Sequence, residues 1–134
     1  MGKFADDVDK FVLDVQGLSV EVIKKIAFEI YIRVVKRTRY RTGRARGSWL
    51  ISVGHNNSDV PNRLTSGPDS SEYQKLSEFS APRGSIFITS NLSYIGYLEY
   101  GTDKFPGDHM MLRTVEEFQP IVQQMVQETR RGRS

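Results

Sequence analysis

One long amphipathic segment constrains the fold of this chain more than any other feature of its sequence. Ser19 is a favourable N-cap, and Leu18 stands where it would pack on Ile23 as a hydrophobic staple. From there to about Thr38, apolar residues recur every three or four positions, namely Ile23, Ile26, Ala27, Ile30, Tyr31, Val34 and Val35. Several of them are β-branched, so tertiary packing rather than intrinsic propensity must hold the helix. The sequence therefore predicts a helix over 19–38 with one face buried in a core.

Two other segments, one near each end of the chain, carry helical patterns. Gly17 ends an early apolar stripe that consists of Phe4, Val8, Phe11, Val12 and Val15. Asp108 is placed as an N-cap before a second stripe, which runs from Met111 to Val126. Pro120 lacks an amide donor, and this predicts a kink or a restart of the last helix near Gln119.

Two shorter helices are predicted in the second half of the chain. Ser70 or Ser71 is placed to cap one of them, whose apolar residues are Tyr73, Leu76 and Phe79. Asn91 is placed to cap the other, and Gly101 stands where that helix would end. Both helices would connect longer elements of the fold.

Two segments alternate in the manner of β-strands. One set, Trp49, Ile51 and Val53, alternates with a second set, Ser48, Leu50 and Ser52, which predicts a strand whose wetter face carries the second set. Residues 85–90 have the same character, and the stretch 54–84 between the two strands predicts a long loop insertion with one short helix. The fold class is therefore α+β. A long N-terminal helix and a C-terminal helix are expected to pack on a small, mostly antiparallel sheet, with a long irregular loop between strands.

Length and composition bound the functions that need to be considered. A chain of 134 residues with 38% hydrophobic and 26% charged residues predicts a single globular domain over 1–134, with a flexible basic tail at 129–134. The absence of cysteine excludes disulfides, thiolate nucleophiles and cysteine-based zinc sites. No apolar run approaches the ~18 residues that a membrane span needs, and the first fourteen residues are too acidic for a signal peptide.

Positive charge is concentrated between 33 and 46, where seven Lys or Arg residues occur without an acidic residue. These cations repel one another unless an anionic partner or salt screens them. One interpretation is a DNA-contacting face whose candidate residues are Arg33, Lys36, Arg37, Arg39 and Arg41. The other is a solvated helix end or a protein interface. The second is favoured because no zinc-finger spacing, aromatic RNA-binding signature or helix-turn-helix accompanies the charges.

The chain offers little catalytic chemistry. His55 and Asp59 share one loop, and His109 follows Asp108, whereas a zinc site needs three or four ligands. The sequence contains no nucleophile elbow, no phosphate-binding glycine loop and no His-Glu-x-x-His helix. We therefore expect no enzyme, no catalytic residue, no metal and no cofactor.

Glu99 is the most distinctive acidic residue because it ends a short helix among three tyrosines. A partly buried carboxylate needs a partner, and Arg41, Arg44 or Arg46 could supply one in a bidentate pair. A structural ion pair or an interface contact is the favoured interpretation, and a general acid is the alternative.

Three segments, taken in order, resemble a known family. The first is the pattern Arg-Thr-x-x-x-Thr-Gly-Arg-x-x-x-Ser-Trp, formed by Arg37, Thr38, Thr42, Gly43, Arg44, Ser48 and Trp49. The second, over 86–102, reads Ile-x-Ile-Thr-x-Asn-Leu-x-Tyr-x-x-x-Leu-Glu-Tyr-Gly-Thr, and the third consists of Pro106, Gly107 and Met110. Together they resemble the neck and tail-completion proteins of long-tailed bacteriophages, the family of the lambda gene Z product. The chain departs from that family at 39–41, where Pro-Val-Asp is common, and at 104–105, where Gln-Ala is common.

The resemblance implies a structural virion protein, present in the host cytoplasm during assembly. Copies would form a ring, expected to be six-fold, that joins the head-tail connector to the tail terminator or tail tube while DNA passes through its lumen. The interface residues it implies are Arg37, Arg41, Thr42, Gly43, Arg44, Tyr94, Glu99, Tyr100, Gly101, Phe105 and Pro106. Phe105 would act as an apolar anchor on a loop tip, and the acidic N-terminal segment would meet the basic stretch across a subunit boundary.

Three alternatives stay open at the level of sequence. Within the same family, a tail terminator or minor tail protein would carry the same motifs. A basic DNA-binding module would use 33–46, and its affinity for duplex DNA would fall steeply with salt. A metal-dependent nuclease would depend on Glu99 or Asp59 and would lose activity with a chelator.

Overall fold

A computed structural model describes residues 10–13, 19–39, 43–54, 60–61, 63–79 and 86–132. Within these residues the helices are α1 (Val20–Arg37), α2 (Arg44–Gly47), α3 (Ser70–Gln74), α4 (Ile95–Tyr100), α5 (Met110–Glu116) and α6 (Phe118–Gly132). The strands are β1 (Lys10–Leu13), β2 (Trp49–Val53), β3 (Ile86–Ser90), β4 (Gly101–Thr102) and β5 (Phe105–Pro106). A 3-10 turn (Lys75–Glu78) continues α3. The predicted α+β class is confirmed.

The main sheet is antiparallel and has the strand order β1-β3-β2. Central strand β3 pairs with β2 through Ile51 opposite Ile88, and with β1 through Phe11 opposite Ile88. A second, two-stranded sheet is the hairpin of β4 and β5, with Gly101 opposite Pro106. The hairpin follows directly from α4 and leads into α5, so it lies at one end of the fold.

The core forms where the predicted face of α1 meets α5, α6 and the sheet. Ser19 caps α1 as expected, because its hydroxyl accepts a hydrogen bond from the Val22 amide at 3.2 Å. The buried residues of α1 are Val22, Ile23, Ile26, Ala27, Ile30, Tyr31, Val34 and Val35. They pack with Trp49 and Ile88 of the sheet and with Phe118 of α6. Each such side chain contributes about 1.5–3 kcal/mol by leaving water, which offsets the modest helix propensity of α1.

The prediction of a helix before Gly17 is wrong for the part that the structure describes. Residues 10–13 form strand β1, and the rest of that stripe lies outside the described residues. Phe11 and Val12 fit the helical period but also favour a strand, and pairing with β3 decides between the two. The expected wetter face of β2 is also wrong. Ser48, Leu50 and Ser52 are 1%, 3% and 7% exposed, so this face is buried as well.

Part of the long insertion is ordered by a side-chain network. The predicted short helix is confirmed as α3, although Asp69 rather than Ser70 is its N-cap. Glu72, only 1% exposed, accepts hydrogen bonds from the Ile51 amide at 2.8 Å and from Arg63 at 2.9 Å. Arg63 also donates to the carbonyl oxygen of Trp49 at 3.0 Å. The two side chains therefore satisfy backbone groups on the edge of β2 that faces away from β3.

The last helical pattern is divided into α5 and α6. The break falls at Glu117, so the restart that Pro120 predicts is confirmed. Asp108 is not the N-cap; His109 takes that position with φ 50°, in the left-handed region. α6 continues through Gly132, and Thr129 is 4% exposed and accepts a hydrogen bond from Lys25. Residues 129–132 thus form the end of α6, and 133–134 of the predicted tail lie outside the described residues.

Candidate protein-interaction surface

Glu99 fastens the end of α4 to the start of α5. Its carboxylate is fully buried and accepts hydrogen bonds from the backbone amides of Met111 at 2.9 Å and Leu112 at 3.2 Å. The amides of a first helical turn have no partner within the helix, and the carboxylate supplies one together with a favourable charge. Glu99 is thus a distant cap of α5. The predicted ion pair of Glu99 with Arg44 or Arg46 is wrong. Within the described residues, no cation lies within 4.0 Å of the Glu99 carboxylate.

The backbone closes the same junction from the other side. The amides of Asp108 and His109 donate to the carbonyl oxygens of Leu98 at 2.7 Å and Glu99 at 3.1 Å. At Gly107 a Cβ atom would stand 2.1 Å from the Glu99 carbonyl oxygen, so only glycine permits this approach. Gly101 ends α4 with φ 87°, as predicted, whereas Tyr94 rather than Asn91 precedes the helix as its N-cap. The segment 94–112 is therefore held rigidly by contacts that need these residue types.

An apolar surface is exposed on this rigid support. Tyr97 and Tyr100 are 64% and 67% exposed, and Leu112 of α5 is 49% exposed. Tyr94 is exposed as well and precedes Tyr97 by the same three-residue interval. We call Tyr94, Tyr97, Tyr100 and Leu112 the tyrosine surface. Large aromatic side chains held at a fixed position are the residue type that most often anchors a protein–protein contact.

Two residues of the basic stretch are neutralised inside the chain. Glu117 accepts from Arg33 at 2.7 Å and from Arg37 at 2.6 Å, and Arg33 also pairs with Glu29 at 2.9 Å. The hydrogen bond from Arg37 lowers the pKa of Glu117, burial opposes this, and the bond from Arg33 lowers it further. These pairs fix the junction of α5 and α6 against α1. The carboxylates belong to Glu29 and Glu117. Both lie outside 33–46, so a count of the charges within that stretch does not include them.

Arg39 connects the basic stretch to the junction at Gly107. Its guanidinium pairs with Asp108 at 3.1 Å, and its backbone amide donates to the same carboxylate at 3.1 Å. The guanidinium also donates to the carbonyl oxygen of Pro106 at 3.4 Å. Asp108 therefore bonds to Arg39 and is not the cap of the first turn of α5. Lys36 is exposed.

The first family-like pattern maps onto a second buried network. The Trp49 indole donates to the Thr38 hydroxyl at 2.9 Å, and that hydroxyl donates to the Val34 carbonyl at 2.7 Å. Arg46 donates to the Thr38 carbonyl at 2.8 Å, which closes the turn between α1 and α2. Ser48 shares a 2.7 Å hydrogen bond with Ser90. Thr38, Ser48 and Trp49 of this pattern therefore join the end of α1 to the sheet.

Of the predicted interface residues, Arg37 bonds to Glu117 and Thr114, and the other ten fall into three groups. Tyr94, Tyr100, Gly101 and Pro106 lie together on α4 and the hairpin, with Glu99 beneath them. Gly43 is buried against the backbone of Thr65, and Arg44 is half-buried on α2. Arg41 and Thr42 lie outside the described residues, as does the side chain of Phe105. Sequence reasoning missed Tyr97 and Leu112, although a tyrosine at every third position from 94 to 100 was a readable signal.

Among the residues that the structure describes, no three His, Asp or Glu side chains converge as a metal site would require. The same residues contain no helix with the length and hydrophobicity to cross a bilayer. His55 and Asp59 are outside the described part of the chain. Comparison of the chain with protein-family models, with curated proteins and with solved structures finds no match.

Proposed function

We propose that this chain is a structural subunit of a bacteriophage neck, which joins the head-tail connector to the tail. Copies form a ring, most simply a hexamer, and DNA passes through its lumen without chemical change. In that role the protein is located in the virion neck and, during assembly, in the host cytoplasm. The observation that carries the proposal is the tyrosine surface. It is held where the second and third of the family-like segments, 86–102 and 106–110, meet.

The physical support for an assembly role is preorganisation. Association costs several kcal/mol of lost motion and further free energy for each side chain that must be ordered. Glu99 and Gly107 fix the backbone beneath the tyrosine surface before any partner arrives, so little of that ordering remains to be done. A surface that has to bind repeatedly at one geometry, as in a ring, benefits from such rigidity.

The basic stretch supports DNA binding less well than its sequence suggested. Arg33 and Arg37 already bond to Glu117, and Arg39 bonds to Asp108. Contacts with phosphate groups would compete with these ion pairs, whereas free cations are what makes nucleic-acid affinity high and salt-dependent. We therefore expect duplex binding to be weak.

The test is reconstitution. Purified chain is added to heads and tails from particles that lack it, and joined particles are counted by negative-stain microscopy and by infectivity. Tyr97→Ser with Tyr100→Ser should reduce joining at least tenfold, whereas Leu64→Ser should not, because Leu64 is 66% exposed but lies on another segment. Circular dichroism of each variant checks that the fold is retained.

Other results would contradict this function. Heads and tails that join normally without the chain would exclude a neck role. Particles with tails of uncontrolled length would instead indicate a tail terminator. Submicromolar duplex binding that falls steeply with salt and is lost on charge reversal of Lys36 and Arg37 would favour a DNA-binding module.

A further inference from the structure

A second exposed apolar feature is formed by residues other than those of the tyrosine surface. It is a groove of about 440 Å³ between α1, the 3-10 turn and α6, and its apolar lining includes Phe28, Leu76 and Met125. Lys24 and Glu128 are among its polar lining. Phe28 is 37% exposed and is held in place by the Tyr73 ring, 4.3 Å away between centroids. We call this feature the α1–α6 groove.

The groove and the helix that carries Leu112 contact opposite halves of α1. The groove uses the first half of α1, whereas the end of α1 at Arg37 bonds to Thr114 of α5, close to the segment that Glu99 caps. Phe28 and Arg37 are nine residues apart on the helix, which corresponds to about 14 Å along its axis. The two features therefore share no residue and lie on different parts of the fold.

We propose that the tyrosine surface of one copy docks in the α1–α6 groove of the next copy. The inference rests on the assembly role proposed above and names the partner of the tyrosine surface. A contact between two unlike surfaces of the same chain is heterologous, and its repetition gives a closed ring or an open filament. Contact between two tyrosine surfaces would instead be isologous, would stop at a dimer and would leave the groove empty.

Charge at the groove agrees with this occupant. Among the described residues, Lys24 has no carboxylate within 4.0 Å, in contrast to its neighbour Lys25, which approaches Glu21 at 3.8 Å. An ammonium group beside the face of a tyrosine ring is attracted to it. The charged lining of the groove is balanced, with Lys24 and Lys25 against Glu29 and Glu128. The Lys24 ammonium beside the apolar lining is therefore the feature that favours an aromatic occupant.

Site-specific disulfide formation tests this contact directly, because the natural chain has no cysteine. Two full-length variants, Lys24→Cys and Tyr97→Cys, are mixed, oxidised and separated on a non-reducing gel. Mixed dimers should exceed each homodimer and the control mixture of Tyr97→Cys with Leu64→Cys by about tenfold. The double variant Lys24→Cys/Tyr97→Cys should give a ladder of oligomers, and a ladder that stops at a fixed number identifies a closed ring.

The experiment is run on free protein at high concentration and again in the presence of heads and tails. Mixed dimers no more abundant than the Leu64→Cys control under both conditions would overturn the inference, as would a predominance of Tyr97→Cys homodimers. If the wild-type chain joins heads to tails but the mixed disulfide never forms, the neck function stands and this contact is wrong. If the ladder forms but no particles are joined, the contact stands and the neck function is wrong.

Discussion

Substitution of Glu99 by glutamine isolates the contribution of the junction beneath the tyrosine surface. The glutamine keeps one acceptor oxygen and nearly the same shape, but its amide group would face the backbone amide of Met111 or Leu112. One buried amide would then have no acceptor, and the negative charge at the start of α5 would be lost. The change leaves the exposed tyrosines themselves unaltered.

The expected loss of stability follows from these two interactions. A hydrogen bond to a charged group contributes roughly 1.5–3 kcal/mol. A carboxylate at a partly buried helix N-terminus adds roughly 0.3–2 kcal/mol. Glu99 is fully buried, so water cannot replace the missing acceptor. We expect Glu99→Gln to lower the free energy of unfolding by about 2–4 kcal/mol, a large fraction of the roughly 5–15 kcal/mol that a domain possesses.

Urea denaturation followed by far-ultraviolet circular dichroism measures this difference. The matched control is Glu116→Gln, the same chemical change at an exposed position of α5, which should alter stability by less than about 0.5 kcal/mol. If Glu99→Gln is no more destabilising than Glu116→Gln, the carboxylate does not cap α5 as described, and the case for a preorganised tyrosine surface fails with it.

Two further predictions concern the networks around α1. Trp49→Phe removes the buried hydrogen bond to Thr38 and leaves a small cavity, so we expect a loss of about 2–3 kcal/mol in urea denaturation; an unchanged midpoint would contradict this. Glu117 has a folded-state pKa below its ordinary value of 4.5, so the unfolded state binds more protons and its ion pairs stabilise the fold above that pH. The difference in unfolding free energy between the wild type and Glu117→Gln should therefore shrink as the pH falls from 6 to 3, and a constant difference would refute the ion-pair assignment.

The longest elements could be predicted because local pattern and tertiary packing agree on them. α1 has a cap at Ser19 and one continuous apolar face, and both are present in the structure. The restart of the last helix follows from the missing amide of Pro120, a covalent property that no packing can change. The strands 49–53 and 86–90 could be read in the same way from their alternation.

The predictions of secondary structure were wrong where the local pattern fits two structures. Phe11 and Val12 satisfy both a helical stripe and a strand, and only the partner strand β3 selects the strand. The cap of α5 shows a similar limit. Asp108 is a good N-cap by sequence, but Arg39 binds its carboxylate, and Glu99 from an earlier helix takes over the first turn. The sequence shows which side chains could accept a hydrogen bond from the first turn of α5, but not which of them lies close enough to do so.

The candidate interaction surface was likewise predicted in part from the sequence and in part only from the folded chain. Sequence singled out Glu99, Tyr94 and Tyr100, and it showed a dense positive charge between 33 and 46. Only the folded chain brings Glu117 to Arg33 and Arg37, because these residues are about 80 positions apart along the chain. Arg33 and Arg37 thereby become part of the internal framework, whereas Lys36 remains exposed.

The amino-acid sequence by itself determined the helical period, the caps and breaks, and the lack of thiol chemistry, because these depend on neighbouring residues and covalent structure. The tertiary structure decided which carboxylate meets which cation or amide, which strand β1 joins and which tyrosines remain exposed. Those outcomes depend on contacts between residues that are distant in the chain, and such contacts are selected by the free energy of the whole packed arrangement.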